Sequence, residues 1–302
     1  MSPRHRRAGL LALHLAVLLV GFSGLFGKWI GIAALPMIVG RLLFAVPALA
    51  VAIRWKGGRL APPRAAVLGL MLLNGAVLAA HWVSFFHAVQ VATVAIALLG
   101  YASAPVFAAI LEPLSYGERF SPRALAASAL ILAGMAWIVP EWRWSEGLAR
   151  GMVWGLVSGI TFAVLNLLNR WLIRDAPSLT VAFYLDGFAL AVLLPFLPWW
   201  WETPSAADWA LMAVQGIVFT AISHTLFIRA LHTVQAQIVA FVSTLEPVYG
   251  VLLAAWLLGE IPSPRTIGGG AVIMFAVLWV TVRPESAARS WRGILATMPK
   301  RR

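Results

Sequence analysis

The sequence predicts an all-α membrane protein in which ten transmembrane helices form two inverted five-helix repeats around a central cavity. Three observations predict it. The 302 residues are 61% hydrophobic and only 11% charged, whereas soluble domains carry about 25% charged residues. Too little charge is present to cover a water-facing surface. The apolar residues also fall into runs of roughly 20, the length of a helix that crosses a bilayer. Finally, the second half of the chain echoes the first at a constant offset, with Gly9 falling on Gly151 and Trp137 on Trp279.

Apolar runs between charged or Pro/Gly-rich breaks place the spans at 9–30, 35–54, 64–86, 90–111, 122–140, 148–170, 178–201, 207–229, 234–257 and 263–283. The start MSPRHRR before an apolar run looks like a signal peptide. The run is long, lacks an A-x-A site and has a copy later in the chain, so it is expected to be retained as the first span. Several connections are too short for anything but antiparallel hairpins. Residues 9–140 form the first repeat, 148–283 the second, and 284–302 a basic cytoplasmic tail. Five spans per copy is an odd number, so the copies are expected to insert with opposite orientation, an architecture of secondary transporters.

The net charge of +12 does not point to nucleic acid, because Lys and Arg sit in short loops and tails and form no basic stripe. With the N-terminus placed inside, 18 of the 23 basic residues fall on the cytoplasmic side, and the outside holds only Lys28, Arg143, Arg150 and Arg265. Both termini are therefore expected to be cytoplasmic. Tryptophans 142, 144, 199, 200, 201 and 209 gather on the other side, where an indole with its apolar ring and polar N–H prefers the interface. With no cysteine in the chain, disulfides, thiolate chemistry and zinc-ribbon sites are excluded. No metal or other cofactor is expected; the partners are the lipid bilayer and a small-molecule substrate.

The repeat carries the family signal. Lys28-Trp29 falls on Arg170-Trp171, Phe85 on Phe227, Pro105-Val106 on Pro247-Val248, Gly117-Glu118 on Gly259-Glu260, and Ser121-Pro122-Arg123 on Ser263-Pro264-Arg265. The segments APVFAAILEPLSYGERFSPR and EPVYGVLLAAWLLGEIPSPR resemble the Pro-containing fourth helix, G-E loop and fifth-helix start of the drug/metabolite transporter superfamily, in its ten-helix EamA-like branch. The resemblance covers residues 9–283. It implies a cavity lined mainly by helices 1, 3, 4, 6, 8 and 9 and alternating-access export of small metabolites across a bacterial-type inner membrane. Within the family, the aromatic amino acid exporters match best, although a small hydrophilic amino acid, a nucleobase or a cationic drug would use the same scaffold, and the chain is expected not to be an enzyme.

Polar and aromatic residues inside the spans mark the expected binding site. Pro105 and Pro247 each remove an N–H and free the carbonyl four residues earlier; such carbonyls face a cavity, meet hydroxyls such as Ser103, Ser243 and Thr244, or simply mark a kink. Glu246 stands directly before Pro247. An acid near the bilayer centre costs about 3 kcal/mol even on lenient scales, so it should face the interior and hold a substrate ammonium, carry a proton, or sit protonated against a neighbouring helix. Its equivalent in the first half is Ala104, so the acid is one-sided. His81 and His224 are proton-relay candidates or neutral, hydrogen-bonded interior histidines, and Ser223 is the equivalent of His81. Trp82, Phe85, Tyr101, Trp154 and Tyr249 are candidate ring walls. Asn166 and Asn169, three apart on one face, are carboxylate holders or interhelical glue, and Gln237 adds a further amide.

Among the charges, Arg41 is expected to snorkel outward and Asp186 has no assigned role on a helix expected to be peripheral. Glu118 and Glu260 are expected to pair with nearby arginines or cap helices 5 and 10. A rival reading starts from GFSG at Gly21–Gly24, which resembles the surroundings of a rhomboid-type serine nucleophile, with a histidine as base. Small residues in a membrane helix more often serve close packing, which favours transport.

Overall fold

The structure is a computed structural model that describes residues 3–60, 65–116, 121–139, 146–172, 177–231, 242 and 245–282. All regular elements in this set are helical, as a backbone that must satisfy its own hydrogen bonds in lipid requires. The first span is α1 (Pro3–Ser23) followed by the short α2 (Phe26–Trp29), and the second is α3 (Ala34–Trp55). The third is α4 (Ala65–Val91), the fourth divides into α5 (Val94–Tyr101) and α6 (Ala104–Tyr116), and the fifth is α7 (Pro122–Ile138).

In the second half come α8 (Gly147–Leu172) and α9 (Ser178–Leu193), the latter tightening into a 3₁₀ turn over Leu194–Trp200. Next are α10 (Ala206–Gly216), a π-helical stretch over Ile217–Ile222, α11 (Ser223–Leu231), α12 (Glu246–Leu258) and α13 (Pro264–Val282). Seven helical runs are long and apolar enough to cross a membrane, and three shorter apolar helices lie at Pro122–Ile138, Val248–Leu258 and Pro264–Trp279. Most of the expected ninth span before Leu245, including Gln237, Ser243 and Thr244, lies outside the described residues, as do Gly117, Glu118 and the basic tail.

Pro105 stands just after the interruption of the fourth span, and Pro247 at the start of α12. Helix α5 stops at Tyr101 and α6 starts at Ala104, one residue before Pro105. Helix α12 begins at Glu246, which puts Pro247 at its first turn, where a missing N–H costs nothing.

Packing follows the repeat. Helix α4 packs on α8 and α9, while α1 packs on α11 and α3 on α10; α5 meets α8 and α12, α1 meets α12, and α7 meets α13. Taken span by span among the described residues, exchanging each span for its equivalent in the other half returns the same set of neighbours for these main contacts. Lipid gives little hydrophobic drive between helices, and large apolar side chains accordingly stand exposed on the outer surface: Trp55, Trp137, Trp256 and Phe275.

One end of the bundle is fastened by side chains. Gly259 takes a left-handed φ of 67°, the conformation that glycine adopts without steric cost at the end of a helix. That turn presents Glu260 to the start of α5, where its Oε2 accepts the Val94 N–H at 2.9 Å and its Oε1 lies 4.0 Å from Lys28 Nζ. The G-E pair thus caps the fourth span and pairs with a lysine, where an arginine partner or a cap on helices 5 and 10 was expected. Nearby, Asp208 accepts the Gly31 N–H and Glu202 the Ala33 N–H, each at 2.9 Å, and Gln90 donates to the Ile32 carbonyl.

Burial raises the Glu260 carboxyl above the ordinary glutamate value, and the Val94 N–H and Lys28 offset that only in part. A group with a raised pKa in the fastened state favours that state when protonated, so the contribution is present at low pH and lost as pH rises through the raised value. Lowering the pH through the glutamate range is therefore expected to slow thiol labelling of an Ile32→Cys protein beyond the fall in rate of a free thiol at the same pH. The native chain has no cysteine to interfere, and Glu260→Gln should flatten the rate once it is divided by that of the free thiol.

Candidate functional site

A cavity lies among the helices of both halves, with about 410 Å³ of atom-free space that includes part of its open mouth. Val20, Ser23 and Gly24 line it from the end of α1, Arg41 from α3, His81, Trp82, Phe85 and Phe86 from α4, and Tyr101 from the end of α5. The second half contributes Phe219 from the π-helical stretch, His224 from α11 and Glu246 from α12. Trp82 and His224 occupy equivalent positions in the two halves, and their rings stack 5.8 Å apart with an 18° interplanar angle. The cavity therefore sits where the halves meet.

Glu246 takes its place because α12 begins there. Its Oε2 accepts the Tyr101 hydroxyl at 3.2 Å, which joins the interrupted fourth span to the start of α12. Tyr101 in turn stands edge-on to Phe162 at 4.9 Å and to Phe85 at 6.2 Å. His81 packs among the same rings. Its Nδ1 lies 2.9 Å from the Ser158 hydroxyl and 3.0 Å from the Ser158 carbonyl. Ser158, fully buried in α8, thus orients the imidazole and leaves the rest of the ring toward the cavity.

Arg41 is the main departure from the sequence reading. It does not snorkel: only 2% of it is exposed, and its guanidinium carbon lies 4.0 Å from the centre of the Trp82 ring. Nε and Nη2 both donate to the Thr220 hydroxyl, at 3.1 and 2.6 Å. Thr220 is available because the π-helical stretch sets its hydroxyl against the Gln215 carbonyl five residues back, a 3.0 Å bond; such π-helical insertions are frequent at functional sites. Gly216 allows α10 to lie on the Arg41 backbone, since a Cβ there would collide with the Arg41 carbonyl.

Asp186, with no assigned role from sequence, is completely buried. Its Oδ1 lies 3.5 Å from His224 Nδ1, and neither carboxylate oxygen accepts a hydrogen bond among the described residues.

Six of the sequence-derived binding candidates, His81, Trp82, Phe85, Tyr101, His224 and Glu246, converge on the cavity. The other four stand elsewhere. Ser223 spends its hydroxyl on the Phe219 and Thr220 carbonyls of its own helix. Trp154 packs edge-on against His87 at 5.1 Å, and Tyr249 joins an apolar cluster with Leu13, Val17 and Val242. Asn166 is exposed on the outer surface of α8, while Asn169 accepts the Asn74 amide at 2.7 Å, joining α8 to α4. Ser23 lines the cavity, and among the described residues no hydrogen bond joins it to His81 or His224.

A bundle of apolar helices enclosing a ring-lined cavity with buried charges is the construction of a membrane transporter. The sequence matches the EamA-like transporter family twice, over residues 7–139 and 149–282, and the chain belongs to that family. An uncharacterized transporter of Archaeoglobus fulgidus is 28% identical over 275 residues, covering 91% of this chain and 97% of the relative. An S-adenosylmethionine uptake transporter of Rickettsia conorii is 24% identical over 217 residues, covering 72% of each chain. A protein of known crystal structure superposes with a TM-score of 0.64 over 92% of this chain and 98% of that one, at 19% identity. At that identity the likeness concerns the fold.

Proposed function

We propose that this protein is a secondary transporter that exports small metabolites by alternating access, with amino acids bearing aromatic or apolar side chains as its first substrate class. The observation that carries the reading is the cavity itself. It lies where equivalent residues of the two halves touch, it is walled by rings, and its buried polar groups come unequally from the two halves. Aromatic walls with a few placed polar groups suit a substrate with an apolar body and a charged head. Glu246 is the residue for a substrate ammonium or a transported proton.

In this reading the halves, 9–140 and 148–283, lie upside down relative to each other, so that exchanging their conformations opens the cavity to either side. The double family match supports the repeat, and the bond from Glu260, after α12, to Val94, at the start of α5, supports opposite directions for the equivalent spans four and nine. In this reading the protein lies in the inner membrane with both termini in the cytoplasm, which the bias of Lys and Arg supports. A second reading, uptake of S-adenosylmethionine, is favoured by the relative from Rickettsia conorii. That molecule combines a large ring system with an amino-acid head and so shares its chemistry with the first class.

Reconstituted vesicles loaded with radiolabelled phenylalanine or S-adenosylmethionine, with and without a pH gradient, test the proposal. Saturable flux that unlabelled substrate suppresses is expected for phenylalanine. Movement without saturation would point to a channel, and saturable flux of S-adenosylmethionine alone would select the second reading.

A further inference from the structure

The cavity contains a permanent cation with an unused donor. Arg41 keeps its charge at any physiological pH, and a guanidinium removed from water needs an anion or a full set of acceptors. Here two of its nitrogens share one neutral acceptor, the Thr220 hydroxyl. The Trp82 face covers the guanidinium, and Nη1 is buried without a partner. Among the described residues, no carboxylate comes within 4.0 Å of the guanidinium. Asp186 is turned to His224 instead, and Glu246 takes the Tyr101 hydroxyl. Nη1 is thus left as a donor for an acceptor that enters the cavity.

We infer that Arg41 is the anion subsite of the transport cavity, with Nη1 donating to a carboxylate carried by the substrate while Thr220 and Trp82 hold the guanidinium in place. The inference rests on the cavity being the transport site, and it narrows the substrate class to molecules with a carboxylate beside an apolar or aromatic body. The sites are laid out for it. Thr220 fixes the fork from one edge, the indole restrains it from a face, and the residue lines the cavity. The equivalent of Arg41 in the second half is Phe183 and that of Thr220 is Leu78, so the subsite exists once and orients the substrate.

The test compares acids with their uncharged-carboxyl analogues on the full-length purified protein. Phenylalanine against phenylalaninamide, and S-adenosylmethionine against its decarboxylated form, are titrated by thermal shift and by competition for flux. The wild type should bind the carboxylate member of at least one pair roughly tenfold or more tightly, the worth of one charged hydrogen bond. Arg41→Gln should remove that preference. The acid–amide comparison in the wild type needs no variant, so it stands even if Arg41→Gln fails to fold.

Equal affinity for both members of each pair, or no carboxylate-dependent stabilisation by either acid, would overturn the inference, as would a preference that survives Arg41→Gln. Carboxylate-dependent binding without flux would uphold the subsite and remove the transport reading. Saturable flux with no carboxylate preference would do the reverse.

Discussion

Glu246→Gln is expected to reduce saturable flux in reconstituted vesicles by about 10- to 100-fold, the worth of one charged hydrogen bond, while leaving the melting temperature of the purified protein nearly unchanged. The glutamine amide oxygen can still accept the Tyr101 hydroxyl, which now reaches Oε2 at 3.2 Å, so the tie between α5 and α12 persists. What disappears is the charge and the titratable proton. If Glu246 holds a substrate ammonium, the loss falls on substrate affinity, and KM rises. If it carries a proton, the loss falls on coupling, and flux ceases to respond to a pH gradient while KM changes little. Vesicle flux across a substrate series, with and without the gradient, separates these outcomes. Wild-type flux in the variant would remove Glu246 from the mechanism.

Gly155→Val is expected to be strongly damaging for folding. Helices α5 and α8 cross with Gly100 and Gly155 face to face: a Cβ on Gly155 would lie 2.8 Å from the Gly100 Cα, and one on Gly100 would lie 2.7 Å from the Gly155 Cα. The obstructing atoms are backbone, so no rotamer change relieves the overlap and the helices must separate. Overpacking costs about 1–3 kcal/mol when side chains can adjust, and here the cost should reach or exceed the upper figure. The same crossing positions Tyr101 against Phe162, so the cavity wall would move with it.

A control lies at Gly69 in α4, where nothing stands within 4 Å of an added Cβ. Gly69→Ala should be neutral or stabilise the helix by up to about 1 kcal/mol. Thermal unfolding and the yield of monodisperse protein compare the three proteins. A Gly155→Val variant as stable as the control would contradict the described crossing.

Much of this architecture was legible in the sequence because lipid restricts the options. Apolar length marked the helical segments, and the proline at position 105 marked the interruption of the fourth. The G-E motif was legible as a turn but not as a fastening, because the partner of Glu260 at Val94 is 166 residues away in the chain. Rotational position about a helix was the least readable property. A span that is apolar all round has no stripe to show which face looks inward.

Asn166 and Asn169 illustrate the limit. Three residues apart, they differ by about 60° around a helix of 3.6 residues per turn, and that angle separates an exposed amide from one bonded to Asn74. Arg41 and Asp186 carried a usable signal that snorkelling and a peripheral placement obscured. An ionisable residue well inside a span is a functional candidate by default, and their equivalents in the other half are Phe183 and Phe44. The π-helical stretch that brings Thr220 to Arg41 left no comparable mark in the residues.

The central claim is that the halves are inverted around one cavity, and side-specific labelling tests it most directly. Arg59 and Trp201 are equivalent positions of the two halves and are exposed in the structure. In a chain without native cysteine, Arg59→Cys and Trp201→Cys each give a single reporter thiol. A membrane-impermeant maleimide added to intact cells should label the protein at position 201 and spare it at position 59 until the cells are opened. Labelling of both from the same side would contradict the inverted arrangement, and with it alternating access by exchange of the two halves.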